Sequence, residues 1–236
     1  MAQRDQLLGR HDRLAQPGIT FSALIERRAA PHLGDARRRA FGNLRLEAGI
    51  ASTAEERRAA AALVASRYAA RGYQVADLAR ATESELMLIA GEDGATVGTL
   101  TIRLDGPKGL RADESYREHI DAVRAVGKGV CELGQFAVAS DARSTPVLAA
   151  LFARAYELVR DLRDITDVFI EVNPRHVEFY RKLFGFAVAA GGRICPRVCA
   201  PSVLLRLEVA AFEARLRAYA TALWPQRGLM ASPALN

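Results

Sequence analysis

From about residue 41 onward, apolar and polar positions fall into blocks that switch between strand and helix spacing. Residues 41–51 (FGNLRLEAGIA) alternate loosely, which predicts a first strand. Thr53 and Glu56 stand at capping-box spacing before an alanine-rich run closed by Gly72, which predicts a helix. Two apolar, β-rich runs, 85–90 and 96–104, flank Glu92-Asp93-Gly94 and predict a hairpin. A helix of alternating charge is expected over 113–126. After Gly127 and Gly129 comes VCELGQFAV, short and apolar enough for a central strand. Thr145 and Pro146 supply a cap and a first-turn proline for a helix running to about residue 163. Its residues Val147, Leu148, Leu151, Phe152, Ala155 and Leu158 fall on one face, which should lie on a sheet. Residues 167–172 (DVFIEV) read as a strand stopped by Asn173-Pro174, 177–184 as a short helix, and 202–209 as a last strand before a C-terminal helix reaching about residue 223.

The first 40 residues carry loop punctuation at Pro17-Gly18 and Pro31 and no long periodic pattern. They read as a tail with at most a short helix over 21–28. The expected organisation is one α+β domain over 41–224, with tails at 1–40 and 225–236.

Of the 236 residues, 50% are hydrophobic and 25% charged, which excludes a disordered chain. No stretch reaches the roughly 20 consecutive apolar residues of a membrane helix. The opening MAQRDQLLGRHDR lacks the apolar core of a signal peptide, so a cytoplasmic protein is expected. Three cysteines without a CxxC pair and four scattered histidines support neither a disulfide framework nor a zinc site. The net charge of +6 is uneven, with basic flanks around an acidic middle. Such a surface suits nucleic acid, an acidic membrane or an acidic carrier protein. Nucleic acid is disfavoured, because aromatic residues are only 7% and no recognition motif accompanies the arginines.

Two residues stand out chemically. Glu132 is a carboxylate amid Val130, Cys131 and Leu133, where burial would raise its pKa and fit it to accept a proton. The alternative is an ion pair with an arginine that orients a neighbour. Tyr180 lies two helical turns after Asn173, placed to protonate a departing thiolate.

Asn173 to Phe186 (NPRHVEFYRKLFGF) resembles the NxxAxxFYxKxGF signature of the Gcn5-related N-acyltransferase (GNAT) superfamily, with one extra residue before Gly185. Over residues 46–209 the chain resembles the FeeM-type N-acyl amino acid synthases, relatives of LuxI-type autoinducer synthases. The resemblance is carried in order by GLRADESY, Cys131-Glu132, TDVFIEVNPRHVEFY and VCAPSVLLRL. It implies a GNAT-like mixed central sheet flanked by helices, with a splayed central strand pair open to a pantetheine arm. It also implies transfer of a long-chain fatty acyl group from an acidic acyl carrier protein to the amine of a small amino-acid acceptor, by direct attack.

On this reading Glu132 and Tyr180 are catalytic, and Gln135, Phe136, Ala137, Val138, Arg143, Asn173 and His176 bind the thioester and its pantetheine. Leu148, Leu151, Phe152 and Phe169 line an acyl groove, and Arg175, Arg181, Lys182, Arg193 and Arg197 dock the carrier. No permanently bound cofactor or metal is expected; the co-substrate is an acyl-phosphopantetheine thioester. CoA-dependent relatives carry Q/RxxGxG/A after the central strand, to hold a pyrophosphate. Here that stretch is ASDARSTPV, without glycine, which fits a carrier-protein donor better. The LuxI pattern ExSRF keeps Glu132 and Phe136 but has Gly134 and Gln135 between them, which argues against S-adenosylmethionine as acceptor. The competing readings are an acyl-CoA-dependent acetyltransferase acting on a small amine, and a non-catalytic lipid- or carrier-binding module. The favoured reading requires two strands to part with Glu132 and Tyr180 on either side of the gap; strands zipped shut, or the two side chains pointing to opposite sheet faces, would overturn it.

Overall fold

A computed structural model describes residues 46–73, 84–142, 144–162 and 164–214. The expected tails, the C-terminal helix beyond residue 214 and Arg143 lie outside the described residues. Strand β1 (Leu46–Ile50) leads into helix α1 (Ala54–Ala69), whose capping box forms as its spacing predicts. The Glu56 amide donates to Thr53 Oγ1 at 3.1 Å while Glu56 Oε2 accepts from the Thr53 amide at 2.9 Å. Strands β2 (Glu85–Glu92) and β3 (Ala95–Leu104) form the hairpin, its two-residue turn using left-handed Asp93 and Gly94 (φ 50° and 84°).

Next come α2 (Asp113–Ala125), β4 (Gly129–Val138), α3 (Ser144–Asp161) and β5 (Ile165–Val172). A 3₁₀ turn (Pro174–His176), α4 (Val177–Phe184), β6 (Ala187–Cys195) and β7 (Ala200–Glu208) complete the sheet, and residues 209–214 begin a further helix. The seven strands run in the order β1-β2-β3-β4-β5-β7-β6, all antiparallel except the β4–β5 pair.

Strand β6 was not foreseen. Its sequence, AVAAGGRIC, is small and glycine-rich, and as an edge strand it exposes Val188 and Ile194. Bulges interrupt its pairing with β7, so neither propensity nor alternation marks it.

Helices α1 and α2 cover one face of the sheet and α3 the other. On the α2 face, Tyr116 and Ile120 pack with Val130 of β4 and Phe169 of β5. On the α3 face the helix lies directly on β3: a Cβ at Gly98 would come within 2.2 Å of Val147 Cγ1, so only glycine admits it. The loop before α2 is held equally firmly, since Arg124 bridges Asp105, Asp113 and Asp121 at 2.7–2.8 Å. That clamp sets the N-terminus of α2, and with it the partner of Glu132.

Candidate active site

Strand β4 parts from β5 halfway along its length. Their parallel register runs from Gly129↔Ile165 to Glu132↔Phe169 and ends there. Beyond it, β5 continues against β7 alone and β4 against β3 alone. The cause is local: Gln135 adopts φ 51° in a bulge that sets Gln135 and Phe136 against Leu100 of β3. A bulge bends its strand, and a left-handed non-glycine residue costs roughly 1–3 kcal/mol, so the surroundings must impose it. The Gln135 side chain is fastened to β3, its Oε1 accepting from Thr101 Oγ1 at 2.9 Å. The result is a wedge-shaped gap along β4 beyond Glu132, where its ladder with β5 has ended.

Glu132 is the last residue before the gap and is 4% exposed. Its Oε2 accepts from the Ala112 amide at the start of α2 at 3.0 Å. Burial pushes its pKa up to about 7, against the pull of Arg197 and the Ala112 amide. Beside it lies an ion-paired group that the sequence reading missed: Arg197 contacts Glu171 and the Arg111 carbonyl and bonds Glu114 at 3.0 Å. Glu171 was findable, since a carboxylate inside DVFIEV is the same anomaly that singled out Glu132. Glu114, by contrast, sits in a charged helix and gives no such signal.

Arg197 therefore corrects an expectation. Its side chain is 14% exposed and bound by two carboxylates, so it belongs to the Glu132 cluster and cannot serve a docking surface. Arg193 is tied to Glu118 and the Ser115 carbonyl, with its guanidinium 5.2 Å from the Tyr116 ring centroid. Arg175, Arg181 and Lys182 are exposed, Arg181 pairing with Glu178 at 2.5 Å.

Tyr180 comes to the gap from the other face. Its ring lies among Phe152, Phe179, Phe184 and Phe186, with centroids 5.3–6.1 Å away. Glu132 and Tyr180 thus lie on opposite sheet faces, contrary to the arrangement expected from sequence, because β4 alternation carries Glu132 to the α2 side while α4 packs beside α3. The same-face acid–base pair required by the sequence reading is therefore overturned, and a part for Tyr180 is proposed below from the apolar side alone. Tyr68 of α1, which packs with Val64 and Ala137 on the Glu132 side, contributes to raising the Tyr180 pKa. Burial is the larger cause and lifts Tyr180 well above the ordinary phenol value; it pushes Tyr68 up to about 12.

Asn173 caps the 3₁₀ turn at the end of β5, its Oδ1 accepting from the Arg175 amide at 3.3 Å. His176 accepts at Nε2 from Arg175 Nε at 3.1 Å, and desolvation with Arg175 and Arg71 nearby holds its pKa down.

The acyl-groove expectation divides. Phe152 lines a narrow apolar cavity with Leu133, Val168, Phe184, Phe186 and Leu207. Leu133 is the first β4 residue past the last β5 pairing, so the cavity begins where the gap begins. Leu148 and Leu151 are buried core residues outside that lining, Leu151 lying near Gly98 of β3. Phe169 is fully buried on the opposite face, in the α2 core, because neighbouring strand residues alternate and Val168 takes the cavity side.

A family model described as N-acyl amino acid synthase FeeM matches residues 59–208. The chain belongs to this family. As a member it is an N-acyltransferase. The solved structure of FeeM, an N-acyl amino acid synthase from uncultured soil microbes, is 28% identical, with a TM-score of 0.67 over 75% of this chain and 98% of that one. The fold is also that of a putative N-acetyltransferase from Lactobacillus plantarum (18% identity, TM-score 0.51, 70% of this chain and 98% of that one). The acyl-homoserine lactone synthase LasI shares it too (18%, 0.50, 80% of this chain and 100% of that one). No curated protein sequence matches. The mixed sheet flanked by helices in this synthase family member is therefore the GNAT fold, and its chemistry uses an acyl thioester. Among the described residues no helix is long and apolar enough to cross a membrane.

Proposed function

We propose that this N-acyltransferase moves a long-chain fatty acyl group from an acyl carrier protein to the amine of a free amino acid. The observation that carries the reading is the parted β4–β5 pair, with a buried carboxylate of pKa about 7 at its apex and an apolar cavity starting one residue further on. A pantetheine arm has alternating amide donors and acceptors, which suit the edge that β4 turns toward β5 beyond their last pairing at Glu132. Amides of that edge polarise the thioester carbonyl. The acyl chain is aimed at the Phe152 cavity, which at about 30 Å³ takes no more than a methylene or so as it stands, so a long chain requires the surrounding rings to part.

The amine approaches from the Glu132 face. A carboxylate with pKa near 7 is half ionised at neutral pH and is a competent base for an ammonium or for a bridging water. The amine nitrogen forms its bond to the carbonyl carbon, the carbon–sulfur bond breaks, and Tyr180 gives a proton to the sulfur. A phenol with a raised pKa is a reluctant donor, but a thiolate leaving into the same dry gap is equally hard to keep charged. Cys195, in this region, illustrates the point: burial pushes its thiol up to about 11. No covalent enzyme intermediate is needed.

The donor assignment rests on the glycine-free stretch 139–146, which lacks the backbone cradle a CoA pyrophosphate takes. Exposed Arg175, Arg181 and Lys182, with Arg143, are proposed to meet the acidic carrier, and Asn173 and His176 to border the pantetheine. The deciding experiment offers palmitoyl-carrier protein or palmitoyl-CoA to a pool of the amino acids and identifies products by mass spectrometry. Acylated amino acid from the carrier in preference to CoA is expected; the reverse preference overturns the donor assignment.

A further inference from the structure

Glu171 holds a place in the Glu132 cluster that the chemistry above leaves unused. It lies two residues beyond Phe169, the last β5 residue paired with β4, so it projects from the same sheet face as Phe169 and Glu132. Its side chain is 4% exposed. One carboxylate oxygen, Oε2, contacts Arg197; the other, Oε1, is buried without a nitrogen or oxygen hydrogen-bond partner among the described residues, the Cys195 thiol lying against the carboxylate. Leaving an ionised oxygen buried and unsatisfied is costly, and cationic donors repay it best.

Across the gap, β4 presents Gly134 on the same face as Glu132. A Cβ at Gly134 would find only one atom within 4 Å, Glu132 Oε1 at 4.0 Å. The backbone there is not left-handed, so conformation does not demand glycine. What glycine provides is open space beside Glu132, on the sheet face to which β5 turns Glu171.

We infer that the space above Gly134 seats the ammonium of the acceptor, with Glu171 Oε1 as its hydrogen-bond acceptor and Glu132 as the neighbour that takes its proton. This deepens, and rests on, the amine-acylation reading. The acceptor enters as R–NH₃⁺ held by Glu171. One proton passes to Glu132, and the freed lone pair attacks the thioester carbon. The carbon–sulfur bond breaks, and the sulfur takes a proton from Tyr180, which is restored by the second proton lost from nitrogen. The products are amide, thiol and the proton on Glu132, so charge and atoms balance. Glu171 is a binding residue that selects cationic acceptors, and Arg197 holds it in place.

The test measures steady-state acylation with palmitoyl-carrier protein as donor and two acceptor arms: the amino acid most acylated by the wild type, and methylamine. Glu171→Gln keeps an oxygen for Arg197 but removes the charge. It should raise the acceptor KM about tenfold or more in both arms while the donor KM stays put, and Glu171→Asp should recover part of the loss. Gly134→Ala, which leaves the ion pairs intact, should also raise the acceptor KM and spare the donor KM. An unchanged acceptor KM in Glu171→Gln, or equal rises for donor and acceptor, overturns the seat. If methylamine is acylated and no amino acid is, the amino-acid reading fails, while the methylamine KM still decides the seat. No acylation of either amine by the wild type overturns both.

Discussion

The two sheet faces meet the parting of β4 and β5 with opposite chemistry. On the α1/α2 side the gap is bordered by Glu132, Glu171 and Arg197, joined to the start of α2 by the Ala112 amide. On the α3/α4 side lie stacked rings, Phe152 and Phe184 at 4.3 Å between centroids, with the Tyr180 ring 6.1 Å from each. A single sheet thus separates a buried charged cluster from a ring-lined apolar cavity, the two environments that the proposed transfer assigns to the amine and to the acyl chain. The division follows from strand alternation at two residues: Glu132 turns to one face and Leu133 to the other. An acyl transfer between a charged amine and a greasy thioester needs both environments within a few ångströms, and a splayed strand pair lets them communicate.

Removing the carboxylate breaks this division most severely. Glu132→Gln should lower kcat/KM by about 10²–10⁴-fold at pH 7, the usual contribution of a positioned base. In the wild type kcat/KM should rise with pH through about 7, as Glu132 ionises, and level off above; in the variant that limb should vanish. A wild-type profile flat from pH 5.5 to 8.5 would show that Glu132 is structural.

Stability gives a second reading of the same group. Its folded-state pKa lies above the ordinary carboxylate value, so the native state holds this proton more tightly than the unfolded chain. That contribution is fully present below the unfolded pKa, near 4.5, and is lost as pH rises through about 7. The stability of the wild type relative to Glu132→Gln should therefore fall between pH 5 and pH 8, by an amount on the order of 1–3 kcal/mol. Denaturant melts of both proteins at the two pH values measure it; a constant difference would mean that Glu132 is not desolvated.

On the opposite face Tyr180→Phe removes one oxygen from an otherwise intact ring cluster. It should cost about 10²-fold in kcat with a pantetheine thioester. The loss should shrink towards nothing with an S-aryl thioester, whose thiolate leaves without a proton. A loss of equal size for both leaving groups would move Tyr180 from acid to packing residue, and the two-sided mechanism would reduce to one side.

How much of this was written in the chain divides along the same faces. The capping box, the Asp93-Gly94 turn and the helical face of α3 are local signals, and with the other periodic runs they place ten of the eleven described strands and helices to within about five residues. Edge strand β6 is made by its neighbour β7, and nothing local announces it. At the site, Glu132 was legible because a carboxylate in an apolar strand is an anomaly, and Glu171 carried the same mark unread. The burial of Arg197 was not legible: an arginine in a loop carries no sign of whether two carboxylates will fold around it. Face assignment failed for Tyr180 and Phe169 because the sequence gives periodicity within an element but not which side of the sheet a later helix will cover.

The smallest expected effect concerns the surface through which a carrier would reach the gap. Helix α4 exposes Lys182 beside Phe179 and Leu183, which are 45% and 50% exposed, so its outer side mixes charge with apolar area. Exposed charges act mainly on encounter and are screened within about 8 Å at physiological salt. Lys182→Glu should therefore raise the carrier-protein KM about three- to tenfold at low ionic strength, and the difference should fade in 0.5 M salt. An acyl-pantetheine fragment, which carries no protein surface, should be used equally well by both forms. If the variant handicaps the fragment as much as the carrier, Lys182 acts on the gap itself, and the polar and apolar sides of this enzyme are not as separate as its sheet makes them.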